Sequence, residues 1–128
     1  YIDFSPLDGF RFGMLEPEQK GVISRVSMLG RHYDLKDSTK EIWLKEEGRT
    51  IIETNGGAVF RRFLLSENEV AFEITSLKSR KLYVRFLTKG KYELLIDDKT
   101  EDIVSGSSVK FTLPEGTHRV LLLLLEEK

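Results

Sequence analysis

Residues 81–98, KLYVRFLTKGKYELLIDD, alternate apolar and polar side chains over most of their length. Alternation with a period of two is typical of β-strands that bury one face. The triplet Thr88-Lys89-Gly90 divides the pattern, and glycine suits the left-handed position of a three-residue hairpin loop. We therefore predict strands at Lys81–Leu87 and Lys91–Asp97, joined by this loop. The predicted register pairs Phe86 with Tyr92, Val84 with Leu94 and Leu82 with Ile96 on one face, and Arg85 with Glu93 and Tyr83 with Leu95 on the other.

Turn-forming residues recur on both sides of this segment, from residue 41 to the carboxyl end. Their spacing of about 8–12 residues is typical of a sandwich or barrel of short antiparallel strands. The turns are Glu47-Gly48, Asn55-Gly56, Glu67-Asn68, Lys78-Ser79, Lys89-Gly90, Asp97-Asp98, Gly106-Ser107 and Pro114-Gly116. The further predicted strands are Glu41–Glu46, Arg49–Thr54, Gly57–Leu65, Glu69–Thr75, Val109–Leu113, His118–Glu126 and, upstream, Val22–Leu29.

Two of these turns predict specific pairing. Asn55-Gly56 is a typical two-residue hairpin turn, and Glu67-Asn68 follows it one strand later. Together they predict a meander from Glu41 to Thr75. The predicted pairs are Ile52–Val59 and Ile51–Phe60 across the first turn, and Phe63–Phe72 and Arg62–Glu73 across the second.

The predicted fold class is all-β: an antiparallel β-sandwich, meander- or jelly-roll-like, with about 8–10 short strands. A length of 128 residues fits one domain over residues 1–128, large enough to form a core without disulfides. Residues 1–20 contain two prolines and two glycines, which predicts a looping lead-in with one short strand at Phe10–Met14. We expect Tyr33–Lys40 to form a connection that could include a helical turn.

Composition excludes several classes of function. The 20 basic and 21 acidic residues give a formal net charge of −1, so no nucleic-acid-binding footprint is present. The longest apolar stretch, Val120–Leu125, is too short to span a membrane, and no cysteine is present. Charged residues make up 32%, whereas Asn and Gln together number three (Gln19, Asn55 and Asn68), a balance typical of thermophilic proteins.

The last predicted strand is apolar on both faces. If Val120, Leu122 and Leu124 face the core, alternation directs Leu121, Leu123 and Leu125 to the opposite side. Leaving three leucines in water forfeits about 1.5–3 kcal/mol each. We therefore predict that this face is an interface covered by a neighbouring domain or subunit, and that the chain is a piece of a longer polypeptide. The alternative is a central strand covered by a long loop such as residues 1–20.

Three aromatic residues are candidates for ligand binding, since exposed aromatic rings stack on the C–H faces of sugars. Tyr83 lies on the polar face of its strand, beside Lys81 and Arg85. For Trp43 two patterns conflict: local alternation directs it outward, whereas the chained register places it in a row with the predicted core residue Ile52. Tyr33, in the predicted connection, is the third candidate. For each of them an ordinary half-buried aromatic is the alternative.

Arg31-His32-Tyr33-Asp34 is the densest group of chemically reactive side chains. A lyase or isomerase acting on an acidic sugar needs a cation for the carboxylate and a Tyr or His to move a proton. Neighbours along a chain point in different directions, which favours a polar connection instead. We keep Arg31, His32 and Tyr33 as ligand-binding candidates and predict no catalytic residue.

Metal and cofactor motifs are lacking in the sequence. His32 and His118 belong to no metal-binding pattern, and His118 opens a predicted strand. The acidic pairs Asp97-Asp98 and Glu101-Asp102 fit no defined calcium loop and are interpreted as a solvated turn. Phosphate loops and nucleophile motifs are also missing, so we predict no cofactor and no metal.

The segment from Gly90 to Val120 has two recognisable hairpin patterns. GKYELLID at 90–97 is similar to a G-x-Y-x-V-x-V-D strand, and FTLPEGTHRV at 111–120 follows F-x-L-P-x-G-x-H-x-V. These patterns resemble the closing strands of accessory β-sandwich domains in glycoside hydrolases and polysaccharide lyases, including heparinase-like enzymes. The resemblance covers 31 of 128 residues. It implies a non-catalytic domain and transfers no functional residue.

Three functions follow as hypotheses. The first is a non-catalytic module of a larger, carbohydrate-active protein, which packs against a neighbour and binds a glycan. The second is a lyase or isomerase using His32 and Tyr33. The third is a structural or oligomerisation domain in which the leucine face makes a symmetric contact.

Overall fold

The computed structural model describes residues 3–5, 9–14, 23–28, 31–37 and 41–127, and it contains β-strands and turns in these ranges. Within them there is no helix, and hence none long and apolar enough to cross a membrane. The prediction of an all-β fold is confirmed. The strands are β1 (Asp3–Ser5), β2 (Gly9–Met14), β3 (Ile23–Met28), β4 (Arg31–Asp37), β5 (Glu41–Glu46), β6 (Arg49–Asn55), β7 (Ala58–Leu65), β8 (Glu69–Ser76), β9 (Arg80–Ile96), β10 (Lys99–Leu113) and β11 (Gly116–Glu127).

The described strands form one antiparallel sheet that curls into a half-barrel. Its order is β1-β2-β7-β8-β11-β9-β6-β5-β4-β3, and β10 pairs along the length of β9. The carboxyl half of β9 pairs with β11, while its amino half pairs with β6. The β9–β10 ribbon therefore joins two arms, one made of β1, β2, β7, β8 and β11 and the other of β3 to β6.

The predicted hairpin at Thr88-Lys89-Gly90 is wrong, because residues 80–96 form one continuous strand. The chain bends at this point without reversing. The rings of Phe86 and Tyr92 stack with centroids 3.7 Å apart, although six residue steps of a straight strand span about 20 Å. On β10, Gly106 pairs with Gly90 and Ser108 pairs with Arg85. Ser107 alone therefore lies opposite the four β9 residues 86–89. The predicted Phe86–Tyr92 contact exists, but a bend creates it.

The role of Gly90 in the structure differs from the predicted one for a physical reason. Gly90 lacks the positive φ that the predicted loop requires. Instead, a Cβ at Gly90 would overlap the backbone oxygen of Glu126 and the side chain of Leu124 on β11. The glycine permits close approach between strands, which is the other common use of this residue. The predicted turn at Gly106-Ser107 is likewise wrong, since both residues lie within β10, where it pairs across the bulged residues 86–89 of β9.

The predicted Asn55-Gly56 hairpin is also wrong, and with it the meander from Glu41 to Thr75. β6 pairs with β5 and β9, whereas β7 pairs with β2 and β8. The link at residues 55–57 crosses from one arm to the other. Buried Arg80 holds this link, since its guanidinium donates hydrogen bonds to the backbone oxygens of Asn55, Gly56 and Gly57. A hairpin signal that is local in sequence cannot anticipate this distant partner.

Five other turns fall where they were predicted. Glu47-Gly48 and Asp97-Asp98 each have two consecutive residues at positive φ, as a tight two-residue hairpin requires. Glu67-Asn68 connects β7 to β8, and Lys78-Ser79 connects β8 to β9. The Pro114-Gly116 turn leads from β10 into β11, whose first residue is Gly116.

The β7–β8 register is partly as predicted. Leu65 pairs with Val70 next to the turn, and the rings of Phe63 and Phe72 stack at 5.8 Å. A bulge at Arg62, whose φ is 53°, then shifts the register. Arg61, rather than Arg62, is therefore the partner of Glu73.

The amino-terminal predictions are corrected in part. β4 occupies most of the predicted Tyr33–Lys40 connection, so the expected helical turn is absent from its described residues, 33–37. The lead-in contains β1 as well as the predicted short strand β2. The remainder of residues 1–20 lies outside the described residues.

One hydrophobic cluster draws side chains from both arms. Alternate residues of β9 face it, including Leu82, Val84, Tyr92 and Leu94. Val120 and Leu122 of β11 are buried, and Leu124 packs at the margin, as alternation predicts. The opposite face of each strand is consequently directed away from the core, and the candidate site lies on that face.

Candidate functional site

Four side chains form a row across adjacent strands, on the outer face of the β3–β6 arm and the adjoining part of the β9–β10 ribbon. Trp43 of β5 pairs with Glu53 of β6, Glu53 pairs with Tyr83 of β9, and Tyr83 pairs with Lys110 of β10. Residues paired directly across an antiparallel sheet project on the same side. We call Trp43, Glu53, Tyr83 and Lys110 the outer row. The neighbouring residues Leu44, Ile52, Val84 and Val109 form the corresponding buried row.

A groove opens beside the outer row because β6 and β9 are paired over only two residue pairs. Beyond Glu53 the hydroxyl of Thr54 donates to the backbone oxygen of Lys81 at 2.9 Å, in place of a further ladder pair. The groove has a volume of about 490 Å³. Its lining combines an aromatic ring, a carboxylate, an amide and two ammonium groups. The lining residues are Thr50, Glu53, Thr54, Asn55, Lys81, Leu82, Tyr83 and Lys110.

The structure resolves the conflict over Trp43. The residue is half-buried on the outer face, as local alternation predicts, and the chained register that placed it in the core is wrong. The ammonium nitrogen of Lys45 lies 4.3 Å from the centroid of its ring. Lys36 forms a 2.7 Å ion pair with Glu41. The hydrogen bond that Lys36 donates in this ion pair, together with a further one from the Trp43 side chain, holds the pKa of Glu41 below its usual value.

Of the other predicted ligand-binding residues, Tyr33 does not join this group. Tyr33 is fully buried in the core and offers no ring to a ligand at the surface, so it is neither an exposed aromatic nor the half-buried one given as the alternative. Arg31 and His32 lie on β4, where their backbones pair with Met28 and Ser27. Their side chains lie outside the described residues. Of the five candidates, the structure therefore brings Tyr83 and Trp43 to one surface.

Sequence reasoning missed the groove residues Glu53, Asn55 and Lys110. Glu53 and Tyr83 are thirty residues apart in sequence, and Lys110 is further still. Glu53 meets Tyr83 through the pairing of β6 with β9, and Lys110 meets Tyr83 through the pairing of β10 with β9. Lys81 was noted as a neighbour of Tyr83, since it is two residues away on the same strand. No local signal identifies the others.

The leucine face lies on the other arm. Leu123 is 37% exposed and Leu125 is 49% exposed, while Leu121 is half-buried. Beside Leu121 is a second groove of about 210 Å³ that is lined by Ala71 and Leu95. Arg62 and Arg119 also line it. The outward direction predicted for Leu121, Leu123 and Leu125 is thus the one observed in the single chain.

His118 forms hydrogen bonds to residues of two different turns, and both of its ring nitrogens take part. Its Nδ1 lies 2.6 Å from a carboxylate oxygen of Asp97, and its Nε2 lies 3.1 Å from the backbone oxygen of Glu115. The other oxygen of Asp97 accepts the backbone N–H of Arg119 at 2.9 Å. The hydrogen bond to Asp97 is the main reason that the pKa of His118 is raised. Both ring nitrogens are occupied, so neither is available to a substrate.

Among residues of the described ranges, no three His, Cys, Asp or Glu side chains are grouped in a way that could hold a metal ion. Asp97 and Asp98 instead bind His118 and Arg119. Searches against protein-family models, curated proteins and solved structures find no match to this chain. The candidate site therefore rests on its own geometry.

Proposed function

We propose that this chain is a non-catalytic module of a larger, carbohydrate-active protein, and that it binds a glycan on the outer row. The observation that carries the proposal is the shared outward face of Trp43 and Tyr83 beside a polar groove. A sugar ring presents a flat C–H face to an aromatic ring and hydroxyls to its sides. The outer row and its groove supply both types of partner.

The spacing of the two rings suits a chain ligand. Trp43 and Tyr83 are separated by one intervening strand, hence by about 10 Å across the sheet. Two stacking contacts at such a distance engage successive parts of an oligosaccharide rather than one ring. Glu53 lies between them and can accept hydrogen bonds from hydroxyl groups, and Asn55 adds an amide that donates and accepts.

We further propose that the curled sheet closes as a β-sandwich. The two halves of β9 on either side of its bend pair with strands of different arms, and one hydrophobic cluster contains residues from both arms. A core between two facing layers is the arrangement that defines a sandwich. This geometry leaves the outer face of each arm free for a separate role.

The second role that we propose is docking to a neighbouring domain through Leu121, Leu123 and Leu125. Leu123 and Leu125 are exposed although they belong to an interior strand, and the apolar groove beside Leu121 continues the same surface. A contiguous apolar surface of this kind is characteristic of protein contacts. The glycan site and the docking face are on different arms, so both could be used at once.

Titration calorimetry with a panel of oligosaccharides tests glycan binding. We expect binding by the unmodified chain, about tenfold or greater weakening in Tyr83→Ala, and retained binding in Tyr83→Phe, which keeps the ring. Trp43 is the single tryptophan, so its fluorescence reports contact with the same ligand. Absence of heat across the panel together with unchanged fluorescence would contradict the proposal.

The lyase alternative has less support from the described residues. It requires Tyr33 to reach a substrate, and Tyr33 is fully buried. Release of an ultraviolet-absorbing unsaturated product from an acidic polysaccharide, lost in Tyr33→Phe, would favour it over a binding module.

A further inference from the structure

We infer that the groove beside Tyr83 selects an anionic saccharide, one that carries a carboxylate or sulfate on the sugar. This inference rests on the proposed glycan-binding function and specifies its ligand class. Two lysines flank Tyr83. Lys110 is the cross-strand partner of Tyr83, and Lys81 is two residues before it on the same face of β9.

Both ammonium groups are available to a ligand. Lys81 and Lys110 are exposed, and in the described part of the chain neither is within salt-bridge distance of a carboxylate. Lys36, on the same outer face, is by contrast paired with Glu41. A ligand that recruits Lys81 and Lys110 therefore does not have to break an existing ion pair.

Geometry directs the two lysines toward a single bound sugar. A cross-strand neighbour lies about 5 Å away and a same-face neighbour along the strand about 6.6 Å away, both within the reach of a lysine side chain. An acidic group on a sugar stacked over Tyr83 would thus be near two ammonium groups. Glu53 lies on the opposite side of Tyr83. Its carboxylate can accept hydrogen bonds from sugar hydroxyls, and it disfavours a negatively charged group of the ligand on that side.

The positive charge beside Tyr83 is a property of the groove and not of the chain as a whole. The whole chain has a formal net charge of −1, so it lacks the excess of basic residues that attracts polyanions without selection. Selection would therefore require the sugar to be seated in the groove, which links charge recognition to the ring of Tyr83.

The test compares charged oligosaccharides with their neutral counterparts by calorimetry on the full chain. The probes are oligogalacturonate, oligoalginate and a sulfated galactan oligosaccharide, beside their carboxyl-reduced or desulfated forms. We expect at least one charged probe to bind about tenfold more tightly than its neutral form, with weaker binding at higher salt. The probe that binds distinguishes carboxylate from sulfate.

The variants isolate the two lysines. Lys81→Gln combined with Lys110→Gln should reduce the preference for the charged probe to about twofold or less. The control, Lys78→Gln combined with Lys99→Gln, makes the same change of charge at exposed positions outside the groove and should leave the preference intact. Circular dichroism and thermal unfolding verify that both variants fold.

Equal affinity for charged and neutral forms would overturn the inference and leave the proposed glycan binding in place. Binding to none of the probes or neutral oligosaccharides would overturn both. Equal loss of preference in the groove and control variants would also overturn the inference, because the effect would then come from overall charge.

Discussion

At the scale of single residues, His118 shows how one side chain can join two turns. It contacts Asp97 in the β9–β10 turn and the backbone of Glu115 in the β10–β11 turn. An imidazolium donates from both nitrogens, whereas a neutral imidazole donates from one only. Both contacts are therefore satisfied as hydrogen bonds only in the charged form. Arg119 adds an ion pair with Asp98 at the same corner.

This contact predicts a dependence of stability on pH. The folded pKa of His118 is raised above its ordinary 6.5, chiefly by Asp97. Its contribution is fully present below pH 6.5 and is lost as the pH rises through the raised value. The pKa of Asp97 is lowered below its ordinary 3.8, chiefly by His118. Its contribution is present above pH 3.8 and is lost as the pH falls through the lowered value.

Urea unfolding at pH 5.5 and pH 8.5 measures the effect. We expect a larger free energy of unfolding at pH 5.5, and we expect His118→Gln to remove most of the difference. His32→Gln is the matched control, since it removes the other histidine of the chain. A difference that persists in His118→Gln and disappears in His32→Gln would contradict the assignment.

At the scale of elements, β11 shows how well the alternation of side chains along a strand predicts which of them are buried. Its inward residues are buried as the sequence predicts, and its outward residues are apolar where most outer faces are polar. Burial alone distinguishes adjacent leucines: Leu122 is completely buried, whereas Leu123 is 37% exposed. Identical side chains at neighbouring positions therefore differ in energetic role.

We expect Leu122→Ala to lower the free energy of unfolding by about 2–5 kcal/mol, because it leaves a cavity in the core. Leu123→Ala should lower it by about 0.5 kcal/mol or less, as for other surface substitutions. Leu123→Asp should remain folded and reduce any self-association, which sedimentation at several concentrations measures. Unfolding of Leu123→Asp would place that leucine in the core and contradict the docking face.

At the scale of the whole molecule, the decisive feature is the link from β6 to β7. It transfers the chain from one arm to the other, and Arg80 holds it with hydrogen bonds to three consecutive backbone oxygens. Ser76 accepts a further hydrogen bond from Nε of Arg80. Burial lowers the pKa of Arg80, yet these acceptors satisfy the guanidinium. One side chain thus connects three segments of the chain.

Arg80→Met should lower the free energy of unfolding by about 3 kcal/mol, because three buried or partly buried backbone oxygens lose their donor. The matched control is Arg85→Met, on the same strand, where the arginine is half-buried on the outer face. We expect the control to change stability by about 0.5 kcal/mol or less. Urea unfolding measures both variants, and equal destabilisation would show that Arg80 is not a specific support of the link.

The sequence by itself determined the all-β class, most strand positions, the tight turns at Glu47-Gly48 and Asp97-Asp98, and the two faces of β11. Each of these depends on side-chain alternation or on backbone φ, which are local properties. Trp43 and Tyr83 were identifiable as candidates for the same reason.

Only the tertiary structure decided which strands pair, and with that the candidate site. Gly90 has the sequence signature of a loop but serves close packing against β11, and Asn55-Gly56 has the signature of a hairpin but crosses between arms. The row from Trp43 to Lys110 exists because β6 pairs with β9. A choice among distant strands depends on burying one common core, and no stretch of sequence contains that information alone.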